Sequence, residues 1–376
     1  MDTLYRYAER VKELYELLED ELSKKIFLAR IQFDITYSVE DALRLFGLTG
    51  ILTEEEAAIQ LSCRKTLNQL KKENKKVILY GAGGGGLIIS DLFIHNGIDF
   101  YSFCDKDETK QGQMMQGKKV LSPNYLFEHA DDCYVIISTI DYIAEVFQFL
   151  TDNHFPKDHI LPFFRNAKFD FSKSQYQYFE FPDFYPKGKA FIDGGCFDCK
   201  TSAEFVNTFR GDYTKIIAFE PDVENFQKCK IAVERLGIER IELVQAGLSD
   251  TTGTAVFAAS SNTGSHISDE EANKQSMVGR FDNENFQAIQ TIALDDKVGN
   301  CPIGFIKLDI EGAELSALQG AKKTILRDKP FLAICVYHRR GDVCAIMDYL
   351  HMLIPEYHFW LRHYAFSNET VLYASI

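Results

Sequence analysis

Lys189-Ala-Phe-Ile-Asp-Gly-Gly-Cys-Phe-Asp-Cys-Lys-Thr201 is the stretch whose reading decides the fold. Ala190, Phe191 and Ile192 predict a short buried strand that stops at Asp193. A helical pattern begins near Thr201, with Glu204 at the capping-box spacing. Gly194 and Gly195 let the backbone turn sharply and approach a ligand. Asp193 sets a carboxylate at the carboxyl end of the strand, where open α/β sheets bind ligands. Strand, glycine turn and helix in this order predict a ligand-binding loop, and the downstream residues supply the sheet it needs.

Ile216-Ile217-Ala218-Phe219 predicts a second strand ending in Glu220-Pro221-Asp222, so Glu220 stands where dinucleotide folds carry their ribose-binding acid. Phe226, Cys229, Val233 and Leu236 mark one face of the next helix, which Gly237 stops, and Ile241 to Val244 is a third strand. Gln245 to Asp250 follows it, where the base of a cofactor could lie against short side chains and backbone. Thr254 to Ala258 and Ile289 to Leu294 read as extra strands around a polar insertion that can move or close. In Phe305-Ile-Lys-Leu-Asp-Ile-Glu-Gly312, strand alternation puts Lys307, Asp309 and Glu311 on one side. Such charges must pair or face a ligand, because burying them alone costs several kcal/mol. Phe331 to Val336 is a fifth strand ending at Tyr337-His338, and Tyr357 to His363 with Thr370 to Ala374 reads as a closing antiparallel pair. Five alternating strands and two terminal ones predict an α/β, Rossmann-like, seven-stranded sheet of the class I methyltransferase type.

Upstream, a second glycine loop stands in similar context. Val77-Ile-Leu-Tyr80 predicts a strand, Gly81, Gly83 and Gly86 occupy the positions of a GxGxxG, and Leu87 to Phe93 is helix-like. Phe100 to Cys104 then leads to Asp105, near the spacing of a ribose-binding acid. A turn-rich segment from Gly112 to Pro123, a strand at Tyr134 to Ile137 and a helix from Asp141 to Leu150 complete a smaller Rossmann-like unit closing near Leu161. Ahead of it, Leu4, Tyr7, Val11, Leu14, Leu18 and Leu22 predict one amphipathic helix over residues 1 to about 33. Its apolar face suits either packing within the chain or a homodimer contact. Ser38 with Asp41 and Thr53 with Glu56 mark two further helix starts. Residues 163 to 185 are crowded with aromatics, including Phe163, Phe164, Phe169, Phe171, Tyr176, Tyr178 and Phe179. They could pack between the two α/β units or wall a substrate pocket. The organisation expected is a helical segment at 1–74, a nucleotide-binding-like unit at 75–165, an aromatic connector at 166–188 and the larger α/β unit at 189–376.

The 376 residues carry a net charge of −14, which disfavours nucleic acid as a partner. No apolar run approaches the roughly 18 residues of a membrane span. The N-terminal pattern lacks the basic start and apolar middle of a signal peptide, so a cytoplasmic protein is expected. Nine scattered cysteines fit reduced thiols. Cys196 and Cys199 form a CxxC, but no second CxxC or nearby His pair completes a zinc set, and no metal is expected.

From about Phe191 to Ile376 the chain resembles the FkbM family of S-adenosylmethionine-dependent methyltransferases. The resemblance rests on Phe191-Ile-Asp-Gly-Gly195, Phe219-Glu-Pro-Asp222, Ile306-Lys-Leu-Asp-Ile-Glu-Gly-Ala-Glu-Leu315 and Leu318-Gln-Gly-Ala321. It implies that Asp193, Gly195 and Thr201 surround the methionine end of the cofactor, that Glu220 grips its ribose, and that the acceptor is a hydroxyl of a sugar, glycan or related small metabolite; Gly194 joins the cofactor-binding set as the other half of the glycine turn. Cys199 departs from the family, which usually has glycine there. A sulfonium methyl needs an aligned nucleophile and, for a hydroxyl, a group to take its proton. Asp309, Glu311 and His338 end neighbouring strands and are the candidates for that base, while Asp250 joins the cofactor-binding set. Two other readings remain: an NAD-linked or nucleotide-sugar-binding enzyme acting through Gly81, Gly83, Gly86 and Asp105, and a non-catalytic scaffold.

Overall fold

The computed structural model describes residues 2–139, 142–164, 177–259, 266–267, 285–366 and 369–376. The N-terminal periodicity resolves into two helices, Asp2–Glu16 and Glu21–Thr36, not one. Asp20 is the reason: its backbone is extended and its carboxylate accepts a hydrogen bond from Ser23 N at 2.7 Å, which starts a new helix. Helices Val39–Gly47 and Glu54–Leu61 begin at the expected caps, Ser38 and Thr53, the second with a full capping box through Glu56.

Strands β1 (Lys76–Tyr80), β2 (Ser102–Cys104), β3 (Met114–Met115), β4 (Lys118–Leu121), β5 (Cys133–Ile137) and β6 (Ile160–Leu161) form a sheet in the order β3-β4-β2-β1-β5-β6. It is parallel apart from β3, which pairs antiparallel with β4. That hairpin lies in the segment read as turns, because strands this short show no alternation. Helix Gly84–His95 packs tightly on β1. A Cβ at Gly86 would stand 2.0 Å from the Gly81 carbonyl oxygen, so the third glycine of the motif serves helix–strand contact.

The larger unit contains β7 (Ala190–Gly194), β8 (Ile216–Phe219), β9 (Ile241–Val244), β10 (Gly247–Leu248), β11 (Gly253–Ala259), β12 (His266–Ile267), β13 (Asn285–Ile292), β14 (Ile303–Leu308), β15 (Phe331–Cys335), β16 (His358–His363) and β17 (Thr370–Ser375). Seven of these make the main sheet in the order β16-β17-β15-β14-β7-β8-β9. β17 runs antiparallel to both its neighbours, and β15 to β9 are parallel. β10 to β13 form a separate small sheet, and most of the polar insertion between β11 and β13 lies outside the described residues.

Alternation sorts the core onto two faces of the main sheet. Phe191, Phe305 and Phe331 pack with Phe205 on one face, while Ile192, Ile306, Leu308, Leu332 and Ile334 pack on the other. Phe191 and Phe205 stack with ring centroids 4.2 Å apart. Each such ring contributes roughly 1.5–3 kcal/mol through burial. The N-terminal helices close the β16 edge: Glu19 N donates to the Phe359 carbonyl at 3.0 Å, and Leu361 N donates to Ser23 Oγ at 2.9 Å. An open strand edge is thereby satisfied within the chain. Leu14 and Leu18 are buried and Arg10 pairs with Asp348 on helix Asp342–Leu353, so at these positions the face considered for a dimer is filled from within. Of the aromatic connector, Phe169, Phe171 and Tyr176 lie outside the described residues. Phe164 meets Phe93 and Phe366, with centroids 5.7 and 4.5 Å away, which joins the smaller unit to the larger. Among the described residues no helix is long and apolar enough to cross a membrane.

Candidate active site

The register of β14 against β7 places Lys307 directly across from Asp193. Neither side chain is exposed, and Lys307 Nζ lies 3.1 Å from Asp193 Oδ1. The same ammonium donates to the carbonyls of Gly194 at 2.9 Å and Gly195 at 2.7 Å. Asp193 Oδ2 accepts from Ser202 Oγ at 2.7 Å. Burial opposes the Lys307 charge, but Asp193 and Asp309 outweigh it and hold the ammonium above its ordinary range. These contacts lock the glycine turn. Gly195 sits at φ +76°, and a Cβ there would stand 1.9 Å from the Asp309 carbonyl oxygen.

The turn continues through Phe197 and Cys199, both at positive φ (49° and 59°), and helix Lys200–Phe209 begins after Cys199 without a side-chain cap. The expected Thr201–Glu204 box is not formed, since Thr201 already lies inside the helix. Thr201 is half-buried in the first turn, and the hydroxyl that reaches Asp193 belongs to Ser202.

Glu220 ends β8 and is buried. It curls back to accept hydrogen bonds from Phe197 N at 3.1 Å and Asp222 N at 2.9 Å. Burial pushes its carboxyl up to about 7, only partly offset by these bonds. Asp250 is exposed on the turn after β10; its N–H donates to Ser316 Oγ at 3.1 Å, and its carboxylate accepts from Ser249 Oγ at 3.1 Å.

At the ends of β14 and β15 the three candidate bases come together. His338 is buried, with Nε2 3.4 Å from Asp309 Oδ1 and 3.5 Å from Glu311 Oε2, and Nδ1 2.9 Å from Glu314 Oε1. Burial opposes charge on the ring, but Glu314, Glu311 and Asp309 raise it to about 10, so His338 is an imidazolium near neutral pH. Asp309 accepts from Tyr178 OH at 2.8 Å and Tyr337 OH at 3.2 Å. Burial pushes its carboxyl up, yet Lys307, His338 and the Tyr178 hydroxyl bring it below the ordinary carboxylate range. Glu311 differs. Its backbone is left-handed at φ +56°, its side chain is about one-fifth exposed, and burial, with Asp309, Glu314 and Glu220 adding to it, pushes it to about 8 against the pull of His338.

Sequence reasoning missed Tyr178, Ser202, Glu314 and Asp342. Tyr178 was one ring among many in the connector, and Glu314, although inside the quoted family segment, carried no spacing that separates it from an ordinary helix-start acid. Asp342 caps the Tyr337-His338 turn by accepting from Arg339 N at 2.9 Å. Arg362 and His363 do not belong to this group: Arg362 pairs with Glu180 and Asp20, and His363 bonds Thr370 Oγ1 at 2.9 Å.

In the smaller unit, the Asp105 carboxylate lies under the glycine loop but is engaged there. It accepts from Ala82 N at 2.8 Å and Asp107 N at 2.9 Å, and Lys110 Nζ approaches to 3.2 Å.

The donor set suits an adenosyl ligand: a buried carboxylate at the end of β8, each oxygen holding one backbone N–H and keeping a further lone pair for a ribose hydroxyl, beside a turn that admits no side chain at Gly195. Comparisons with known proteins agree. Residues 194–367 match the family model for the methyltransferase FkbM domain, and residues 52–152 match that for a C-methyltransferase C-terminal domain. Among curated proteins none matches the chain. Among solved structures, the methyltransferase FkbM from Methylobacillus flagellatus KT is 17% identical with a TM-score of 0.51, covering 94% of this chain and 99% of that one, a likeness of fold. An rRNA methylase from Streptococcus thermophilus (17% identical, TM-score 0.33, 56% of this chain and 97% of that one) and a chain from Streptococcus mutans in complex with SAH (14%, 0.33, 56% and 99%) overlay too loosely to carry an argument. Residues 194–367 therefore carry a methyltransferase domain of the FkbM type, with S-adenosylmethionine as the cofactor it implies, preceded by a smaller Rossmann-like unit.

Proposed function

We propose that the protein methylates a hydroxyl of a sugar, glycan or related small metabolite, with Glu311 taking the hydroxyl proton. The observation that carries this reading is the division of labour among the three groups at the ends of β14 and β15. Asp309 is already bonded to two tyrosine hydroxyls and is held below the ordinary carboxylate range. His338 carries its own proton near neutrality. Glu311 is left with a basicity near 8, suited to general base catalysis.

S-adenosylmethionine, when bound, supplies the electrophilic methyl. The Gly194-Gly195 turn and Glu220 hold it in this reading, with Thr201 and Asp250 flanking. Asp193 acts mainly by fixing the turn through Lys307. Glu311 receives the proton of the incoming hydroxyl, and the neighbouring His338 imidazolium favours its charged form. Tyr178 and Tyr337 keep Asp309 oriented so that it supports His338.

The units 1–74, 75–165 and 166–188 are read as the frame on which residues 189–376 work, in the cytoplasm. The engagement of Asp105 within its own loop favours scaffolding over ligand binding at Gly81, Gly83 and Gly86. A thermal-shift screen of the full chain against NAD, NADP and nucleotide sugars tests that point, and a shift with any of them would restore a ligand-binding role. The main test is a panel of sugars, glycans and nucleotide sugars incubated with methyl-labelled S-adenosylmethionine. Label on an ether oxygen is expected. Label found only on carbon or nitrogen would overturn O-methylation while leaving methyl transfer intact.

A further inference from the structure

The turn between β7 and helix Lys200–Phe209 gathers three cysteines that the sequence does not bring together. Cys196 and Cys199 come from the turn and Cys229 from the middle of helix Val223–Leu236. All three are free thiols and buried. Their sulfur atoms lie within 4.8 Å of one another, with Cys196 Sγ and Cys229 Sγ 3.6 Å apart. The CxxC alone lacked a partner; the fold supplies it from the helix after the next strand.

We propose that Cys196, Cys199 and Cys229 form a three-thiolate site for one thiophilic d¹⁰ cation, zinc(II) or copper(I). Sulfur ligands at ~2.3 Å from a tetrahedral zinc stand about 3.8 Å apart, so the observed separations need only small side-chain rotations. Thiolates select such cations over hard ones such as magnesium or calcium. Copper(I) can be held by three sulfurs, and zinc would complete its shell with a water or an added ligand. As thiols the group is poorly served, because sulfur is a weak donor and a weak acceptor. Among the described contacts the only oxygen partner is the Phe197 carbonyl, 3.2 Å from Cys229 Sγ. Cys199 holds a left-handed backbone conformation, which glycine adopts more easily. The place of the site gives it a consequence. Phe197, between the two turn cysteines, donates its N–H to Glu220, and an ion holding the turn to helix Val223–Leu236 would fix that N–H.

The test uses the full-length protein purified without chelators and kept reduced. Elemental analysis is expected to find close to one zinc or copper per chain, or, if the ion is lost in purification, cobalt(II) titration is expected to give thiolate-to-cobalt charge-transfer bands that saturate at one equivalent. Competition with a chromogenic zinc chelator and with bathocuproine disulfonate for copper(I) decides which cation is held. Cys229→Ser and Cys196→Ser should each abolish stoichiometric binding, whereas Cys133→Ser, buried in β5, should leave it unchanged. Absence of metal as purified, with no band on cobalt titration and no retention against either competitor, would overturn the proposal without recourse to any variant. An undiminished band in both Cys229→Ser and Cys196→Ser would overturn it as well.

Discussion

Lys307 and Asp193 face each other across β14 and β7, 3.1 Å apart and without exposed surface, and the same ammonium holds the carbonyls of Gly194 and Gly195. A charged pair in a sheet interior thus serves as the fastener of the glycine turn. Lys307→Met leaves Asp193 buried and uncompensated, which is expected to cost about 3–5 kcal/mol. Adding Asp193→Asn removes that charge while leaving an acceptor for Ser202, so the double variant should recover part of the loss. Chemical denaturation of the wild type and the two variants checks this; a single Lys307→Met with wild-type stability would remove the fastener from the account.

Gly195 and Gly188 both have positive φ, 76° and 70°, but only Gly195 has backbone where a Cβ would go. Gly188→Ala should cost about 1–2 kcal/mol, the usual penalty of a left-handed L-residue. Gly195→Ala must also displace the Asp309 carbonyl, and is expected to lose considerably more stability together with cofactor binding. Thermal unfolding and calorimetry on the pair separate the two effects, and equal losses would show that close approach at Gly195 is unimportant.

Glu311 must be ionised to accept a proton, so turnover under saturating substrates should rise with pH through about 8. Glu311→Gln is expected to lower kcat by about 10²- to 10⁴-fold and to abolish that limb, with affinity for S-adenosylmethionine nearly unchanged. Asp309→Asn should keep the limb and perturb turnover less. A surviving pH limb in Glu311→Gln would return the role to Asp309, His338 or solvent.

The same groups set the pH dependence of stability. Glu220 and Asp342 are raised to about 7, Glu311 to about 8 and His338 to about 10, so between roughly pH 5 and 10 the native state keeps protons the unfolded chain has released. Stability should therefore fall as pH rises through this window. Asp309, shifted the other way, matters only in acid. Tm measured at pH 5.5 should exceed that at pH 8.5, and the difference should shrink in a Glu311→Gln, His338→Gln double variant. An unchanged difference would mean that the burial of these groups is relieved by solvent.

Much of this was legible in the chain. Hydrophobic runs ending in Asp193, Glu220 and Asp309 located three parallel strands and their carboxyl ends, because parallel strands buried on both faces read as unbroken apolar stretches. The helix caps at Ser38 and Thr53 were equally plain. Less legible was anything set by contact between distant residues. Periodicity ran through Asp20 because capping there adds no break to the apolar pattern, and Lys307 could not be assigned to Asp193 over Asp309 without the strand register. Tyr178 and Cys229 reach their partners from far along the chain, 131 residues from Asp309 and 33 from Cys196. No local spacing reports such meetings.

The central claim is that S-adenosylmethionine is held between the Gly194-Gly195 turn and Glu220. Titration calorimetry of the full-length protein, wild type against Glu220→Ala, tests it most directly. Hydrogen bonds to a charged group are worth roughly 1.5–3 kcal/mol, so one-to-one binding by the wild type should weaken by about 10- to 100-fold in the variant while its fold stays intact. No binding by the wild type, or equal affinity in both proteins, would contradict the account.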